Sequence, residues 1–284
     1  MKKSVMTITE FREIVFSNYR QAGRKFPWRG VKISPGDVSP GDLSPWGVMV
    51  SEFMLQQTQT ERVIPYWEEW MRLWPRPRDL AKASLEEALR AWSGLGYNRR
   101  CCYLKNSAAI IAEEHKDRVP DTPGALRLLP GIGPYIAGAI ACFAYNHPSV
   151  FIETNIRSTI IHCFFPDRND VKDSEIFPIL EKSLYKKDPR TWYYALMDYG
   201  ASLKKLTENP SRRSAHYIRQ SPFIGSFRQA RGKVIRTLVS MGPSKAEEIE
   251  MACELSREKL YRVLERLEKE SLVAEEKGIY RIKN

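Results

Sequence analysis

Two glutamates of this chain stand in apolar settings: Glu52 in Val50-Ser51-Glu52-Phe53-Met54, and Glu153 closing Val150-Phe151-Ile152-Glu153. Burial disfavours the charged form of a carboxyl, so such a group holds its proton to higher pH and can act as an acid near neutrality. Two carboxyls in unequal environments are what cleavage through an oxocarbenium-like sugar cation requires. One protonates the leaving group, and the other stays ionised against the developing positive charge. Either glutamate alone is more often a surface or capping residue, so the assignment depends on the elements that would position the pair.

The first such element is Leu129-Pro130-Gly131-Ile132-Gly133-Pro134-Tyr135-Ile136-Ala137-Gly138-Ala139-Ile140. Thr122-Pro123 reads as the N-cap and first position of a short helix reaching about residue 128. Gly131 and Gly133 then permit a tight turn. Pro134 opens a second helix, apolar on one face through Ile136, Ile140 and Phe143. Backbone N–H groups left over at its start suit a phosphate oxygen. On the glycines alone, an ordinary helical hairpin is the simpler reading.

The chain has 284 residues, enough for one large domain or two to three modest ones around a real core. Lys and Arg number 45 against 34 acidic residues, a formal charge of +11, which favours a polyanionic partner but is a weak signal alone. After the basic start Met1-Lys2-Lys3 no signal-peptide core follows, and no apolar run is long enough to span a bilayer. The five cysteines are Cys101, Cys102, Cys142, Cys163 and Cys253, scattered and without metal-ligand spacing. They read as reduced thiols, which places the chain in the cytoplasm, at the nucleoid if the source is prokaryotic.

Along the chain, residues 9–21 predict an amphipathic helix, with Phe11, Ile14, Val15 and Tyr19 on one side. Ser34-Pro35-Gly36-Asp37, Ser39-Pro40-Gly41-Asp42 and Ser44-Pro45 predict an irregular surface loop. Helices are expected from Trp46, through the Trp67, Trp70 and Trp74 stripe (core rather than a base-stacking platform), over 80–92, and over 97–114. No strand pattern precedes residue 206. Residues 204–236 carry Lys204, Lys205, Arg212, Arg213, Arg219, Arg228, Arg231, Lys233 and Arg236 against the single acid Glu208, and phosphate contact is expected there. Residues 233–241, 245–251 and 257–269 then predict three helices, and a small hairpin around Glu275-Glu276-Lys277 completes a winged-helix-like unit. Its glutamates weaken a DNA-reading role.

Taken together, Ser51-Glu52-Phe53-Met54-Leu55-Gln56-Gln57-Thr58-Gln59, Gly94-Leu95-Gly96-Tyr97 and the Leu129–Gly133 turn resemble, in order and spacing, the MutY-type adenine DNA glycosylases of the helix-hairpin-helix superfamily. Phe26-Pro27-Trp28-Arg29 and Ala195-Leu196-Met197-Asp198-Tyr199-Gly200-Ala201 extend the likeness over roughly the first three-quarters of the chain. The resemblance implies an all-α, two-lobed helix-hairpin-helix glycosylase fold with the target nucleotide flipped out. The small winged-helix-like domain follows. The expected boundaries are 30–148 for the six-helix lobe with the hairpin, 1–29 plus 149–224 for the second lobe, and 225–284 for the winged unit.

By this resemblance Glu52 is the catalytic acid that protonates the base and positions water, and Glu153 the second carboxylate, oriented by Asn155. Tyr135 supports the charged intermediate. Gln57 and Tyr97 wedge into the base stack, with Gly131, Gly133 and Arg29 as further DNA contacts, and Leu55 and Tyr194 line the base pocket. Related lyases place a lysine where this chain has Tyr135, so a monofunctional hydrolase without a Schiff-base step is expected.

The chain departs from the family at four points. Glu153 replaces an aspartate. No cysteine lies in residues 202–227, where the family's iron–sulfur ligands follow Gly200-Ala201, so no cluster and no metal are expected. Tyr194 stands where adenine-specific members have Gln or Glu. The 8-oxoguanine-reading domain is replaced by the winged unit. The leading expectation is a monomeric base-excision enzyme removing adenine opposite guanine or 8-oxoguanine in double-stranded DNA. The alternatives are a thymine/uracil mismatch glycosylase, a catalytically silent lesion-binding protein, and a transcriptional regulator led by the winged unit.

Overall fold

The computed structural model describes residues 6–30, 44–219 and 222–283. The Ser-Pro-Gly-Asp tandem therefore lies outside the described residues up to position 43. In chain order the helices are α1 (Ile8–Ala22), α2 (Pro45–Leu55), α3 (Thr60–Leu73), α4 (Pro77–Lys82), α5 (Leu85–Trp92) and α6 (Arg99–Glu114). The hairpin is α7 (Pro123–Leu126) and α8 (Pro134–Tyr145), followed by α9 (Thr154–Phe164), α10 (Asp173–Ser183) and α11 (Pro189–Leu206). The C-terminal part holds α12 (Phe227–Met241), β1 (Ser244–Lys245), α13 (Ala246–Cys253), α14 (Arg257–Lys269), β2 (Val273–Glu276) and β3 (Ile279–Ile282).

These elements fall into two compact units. The described residues of the first lie within Met1–Gly30, Asp121–Leu128 and Ile132–Arg219; those of the second lie within Val31–Pro120, Leu129–Gly131 and Gln220–Asn284. The division differs from the expected boundaries at α8, which packs with α7 and α11 in the first unit. Every residue from Ile136 to Ala144 is buried, not one face alone. A helix apolar all round is a core element, which a single stripe of Ile136, Ile140 and Phe143 did not reveal.

In the first unit a reciprocal cap starts α1: the Glu10 N–H donates to Thr7 Oγ1 at 3.2 Å, and the Thr7 N–H to Glu10 Oε2 at 2.8 Å. Phe11 and Val15 of that helix are wholly buried, and the Phe11 ring meets Trp192 edge-on at 5.6 Å.

In the second unit the single helix expected over 80–92 is two helices. Ser84 and Glu87 form a capping box that restarts the chain as α5 after α4 has ended at Lys82. The tryptophan stripe is core: Trp70 meets Trp74 at 4.7 Å and Trp92 at 5.4 Å. The C-terminal wing is also larger than expected. β1 joins the hairpin to make a three-stranded antiparallel sheet in the order β1-β3-β2. Two residues are too few to show the alternation by which a strand is read from sequence.

The hairpin turn holds Gly131 at φ +77°, and a Cβ built there would lie 2.7 Å from the Tyr103 side chain. Gly131→Ala is expected to cost about 1–3 kcal/mol from left-handed strain and displacement of that ring. Thermal denaturation checks the stability loss. A parallel fall in duplex affinity is expected if the turn meets phosphate.

Candidate active site

Helix α2 is buried from Trp46 to Met54, and Glu52 within it is 5% exposed. After Leu55, half-buried at the helix end, Gln57 adopts φ +55°, and across the unit Tyr97 adopts φ +48°. Non-glycine residues in this region carry strain, which the surroundings must hold. What holds them is Arg100, a residue the sequence reading missed. Its Nη1 donates to the carbonyls of Phe53 (2.9 Å), Met54 (2.9 Å) and Gln56 (2.5 Å), and its Nη2 to that of Gly96 (3.0 Å).

Arg100 thus covers the unsatisfied carbonyls at the end of α2 and ties the turn bearing Gln57 to the turn bearing Tyr97. Burial pushes its guanidinium down to about 10. No sequence signal marks such a clamp, because carbonyls belong to every residue. Gln57, Tyr97, Arg99, Tyr103, Gly131 and Arg231 border a cleft of about 300 Å³ in this unit. From α12, the Arg228 Nη1 donates to the Tyr97 hydroxyl at 2.7 Å.

Glu153 belongs to the first unit and is the N-cap of α9. Its Oε1 accepts the N–H groups of Asn155 (2.7 Å) and Ile156 (2.9 Å), and its Oε2 accepts Asn155 Nδ2 (3.3 Å). Burial raises its carboxyl above the usual range. The two backbone hydrogen bonds, Lys204 and Arg157 pull the other way. The preceding strand-like segment is fixed by Phe151, whose ring stacks on Tyr193 at 4.0 Å and whose N–H donates to the Tyr193 hydroxyl at 3.2 Å. Tyr135, in the first turn of α8, meets Phe151 edge-on at 5.9 Å. Tyr135 thereby packs against the segment that leads into Glu153. Gly133 caps α8 at φ −86°, without a side-chain hydrogen bond.

One expectation needs correction. Arg29 is not placed as a DNA contact: its side chain is 7% exposed and donates twice to Asp198, at 2.9 and 3.0 Å. Its guanidinium also lies 4.2 Å from the Tyr194 ring centroid, and Tyr194, 6% exposed, stacks on Phe143 at 4.7 Å. Buried cations are paired because desolvation is costly, which explains the position.

In the basic segment 204–236, Lys205, Arg212, Arg219 and Arg236 are exposed, and several of its cations have partners in the protein itself. Arg213 bonds the carbonyls of Phe165 (2.6 Å) and Pro166 (2.5 Å), Arg212 pairs with Glu208 (3.1 Å), Arg231 pairs with Glu270, and Lys204 bonds Asn155 (2.8 Å). Net charge could not distinguish these internal partners from phosphate.

The site and fold meet the known proteins as follows. Residues 50–184 match the HhH-GPD superfamily of base excision DNA repair proteins. The chain is also similar to adenine DNA glycosylases. It is 44% identical over 142 residues to that of Mycobacterium tuberculosis (50% of this chain, 43% of the relative) and 41% over 155 residues to that of Homo sapiens (54% and 28%). It spans less than half the length of these curated relatives.

Residues 227–283 match the sugar-specific transcriptional regulator TrmB. The fold is similar to a thermostable thymine-DNA glycosylase (TM-score 0.57, 20% identity, 68% of this chain and 86% of that one). It is also similar to endonuclease III in a non-covalent DNA complex (TM-score 0.54, 16%, 73% and 98%). Among the described residues no helix is long and apolar enough to cross a membrane.

The resemblance brings with it the question of an iron–sulfur cluster. Cys101, Cys142, Cys163 and Cys253 are buried, Cys102 is half-buried, and no three His, Cys, Asp or Glu side chains gather as a metal site among the described residues. The segment after α11 is fastened otherwise. Asn209 Oδ1 accepts from Ser211 N (3.1 Å) and Oγ (2.9 Å), and Val171 N donates to the Arg213 carbonyl at 3.0 Å. Its residues do not fit a four-cysteine cluster.

Proposed function

We propose that this protein is a monofunctional DNA glycosylase, acting without an iron–sulfur cluster, that hydrolyses the N-glycosidic bond of adenine mispaired with guanine or 8-oxoguanine in double-stranded DNA. The observation that carries the reading is a pair of enclosed glutamates, one within α2 and one at the start of α9. Glu52 is 5% exposed within α2, and Glu153, the N-cap of α9, has its carboxylate held by two backbone N–H groups and one amide. Burial favours the protonated form a proton donor needs, and on Glu153 the hydrogen bonds, Lys204 and Arg157 work against burial toward the anion.

In this mechanism Glu52 gives its proton to the base, the bond from sugar C1′ to the base nitrogen breaks, and the electron pair leaves with the base. Glu153 stabilises the sugar cation with support from Tyr135, and Asn155 keeps the carboxylate aimed. Water adds to C1′ and returns a proton to Glu52. Gln57 and Tyr97 fill the gap left by the flipped nucleotide beside the turn at Gly131 and Gly133, with Leu55 and Tyr194 against the extruded base. Arg228 brings the winged unit to the wedge residue Tyr97.

The reading is tested by single-turnover reactions on labelled duplexes carrying A·G, A·8-oxoguanine, T·G and U·G pairs. Excision confined to the two adenine pairs, with strand breaks only after alkali, is expected. Breaks without alkali oppose the monofunctional assignment. Product on T·G or U·G instead supports the second reading, to which Tyr194, standing where adenine-specific members have Gln or Glu, lends weight. Tight mismatch binding with no product on any duplex supports a silent lesion binder.

A further inference from the structure

Lys204 lies on α11, where it has no assigned part in the chemistry. Gly200, one turn earlier on the same face, brings α11 onto α9 so closely that a Cβ there would lie 2.1 Å from the Asn155 carbonyl oxygen. At that approach the Lys204 Nζ donates to Asn155 Oδ1 at 2.8 Å. An ammonium only donates, so the oxygen of the Asn155 amide must face Lys204. The Nδ2 group is thereby turned toward Glu153, where it meets Oε2 at 3.3 Å. With the side chain of Lys204 removed, the amide still offers its donor to the carboxylate, but its oxygen loses the bond that holds it in place.

We propose that Lys204 is a positioning residue for the second carboxylate: through Asn155 its ammonium fixes the orientation of Glu153 and supplies the positive charge that keeps it ionised. The inference rests on the reading of Glu153 as the anion that faces the sugar cation. The other charges near this pair are already engaged. Arg157, on the same helix as Glu153, makes a bidentate pair with Asp173 of α10 (2.8 and 2.8 Å). Arg24, beside Lys204, is bound to Asp198 (2.7 Å). Lys204 answers to Glu153 in turn: burial lowers its ammonium, and Glu153 raises it.

The test uses Lys204→Met and Lys204→Arg in the full chain, with two readouts. The first is the pH dependence of single-turnover excision. Glu153 must be ionised to act, so the rate falls as pH drops through its folded midpoint, which already lies above the ordinary carboxylate value. Lys204→Met is expected to move this acid limb up by about one pH unit, as loss of a nearby opposite charge does, and Lys204→Arg to restore most of it.

The second readout needs no turnover. The ¹³Cδ signal of Glu153, assigned by its disappearance in Glu153→Gln, is titrated by NMR in the wild type and both variants. The same upward displacement of the midpoint is expected in Lys204→Met. An unmoved midpoint in a variant of unchanged melting temperature overturns the proposal, whether or not the protein excises any base. A borohydride-trapped DNA adduct that depends on Lys204 also overturns it, since the amine would then be a nucleophile. If the wild type excises nothing while the NMR midpoint moves, the positioning role stands and the glycosylase reading fails.

Discussion

Glu52→Gln is expected to bind mismatched duplex about as well as the wild type and to release the base more slowly by roughly 10²–10⁴-fold, the usual contribution of a positioned general acid. Glutamine matches the shape of glutamic acid, so the packing of α2 around a residue 5% exposed is preserved. It offers hydrogen bonds but no proton at any accessible pH, and an unprotonated purine is a poor leaving group. Stability should hold or rise slightly, because a buried carboxyl is costly to desolvate and a neutral amide less so. Single-turnover excision beside equilibrium binding checks both halves. A variant retaining more than a tenth of the wild-type rate would remove Glu52 from the role of acid, and a variant that lost binding as well would assign it to structure.

The largest loss of stability is expected at Asp198. Its side chain is 1% exposed and meets Arg29, itself 7% exposed, and Arg24. It accepts the Arg24 backbone N–H at 2.8 Å and Nε at 2.7 Å, besides both terminal nitrogens of Arg29. Asp198→Ala leaves two guanidinium groups without their counter-charge, one of them buried. Breaking a buried pair from one side costs about 3–5 kcal/mol.

For the first unit that loss corresponds to a fall in Tm of roughly 6–20 °C. Added salt should do little to mask it, since buried pairs are screened far less than surface ones. Thermal unfolding followed by circular dichroism checks this, and a fall of less than 3 °C would show that Asp198 contributes no more than a surface pair. The Arg29 cation beside Tyr194 also depends on Asp198, so altered base selectivity in a variant that still folds is a second expected consequence.

Local devices were legible in the sequence. Thr122 and Pro123 start α7 as expected, Pro134 starts α8, and the three C-terminal helices lie close to their expected places. Capping, φ restriction and hydrophobic period act over a few residues, so a sequence displays them directly. Errors came where a local pattern had two physical outcomes. Residues 80–92 carry a helical period throughout, yet the Ser84 capping box divides them. The single-face reading of α8 failed because burial on the remaining faces depends on partners distant in the chain.

The sequence by itself determined a mostly helical chain with a helical hairpin, two glutamates in apolar settings, and motifs whose order resembles that of the helix-hairpin-helix glycosylases. Only the tertiary structure decided what the charges do. Arg100 reaches carbonyls 46 and 47 residues away, Lys204 an amide 49 residues away, and Asp198 an arginine 174 residues away. A charged side chain has the same letter whether it meets phosphate, a carbonyl or a buried carboxylate. Which partner it finds is settled by burial and distance once the helices have packed, and neither quantity is written in local order.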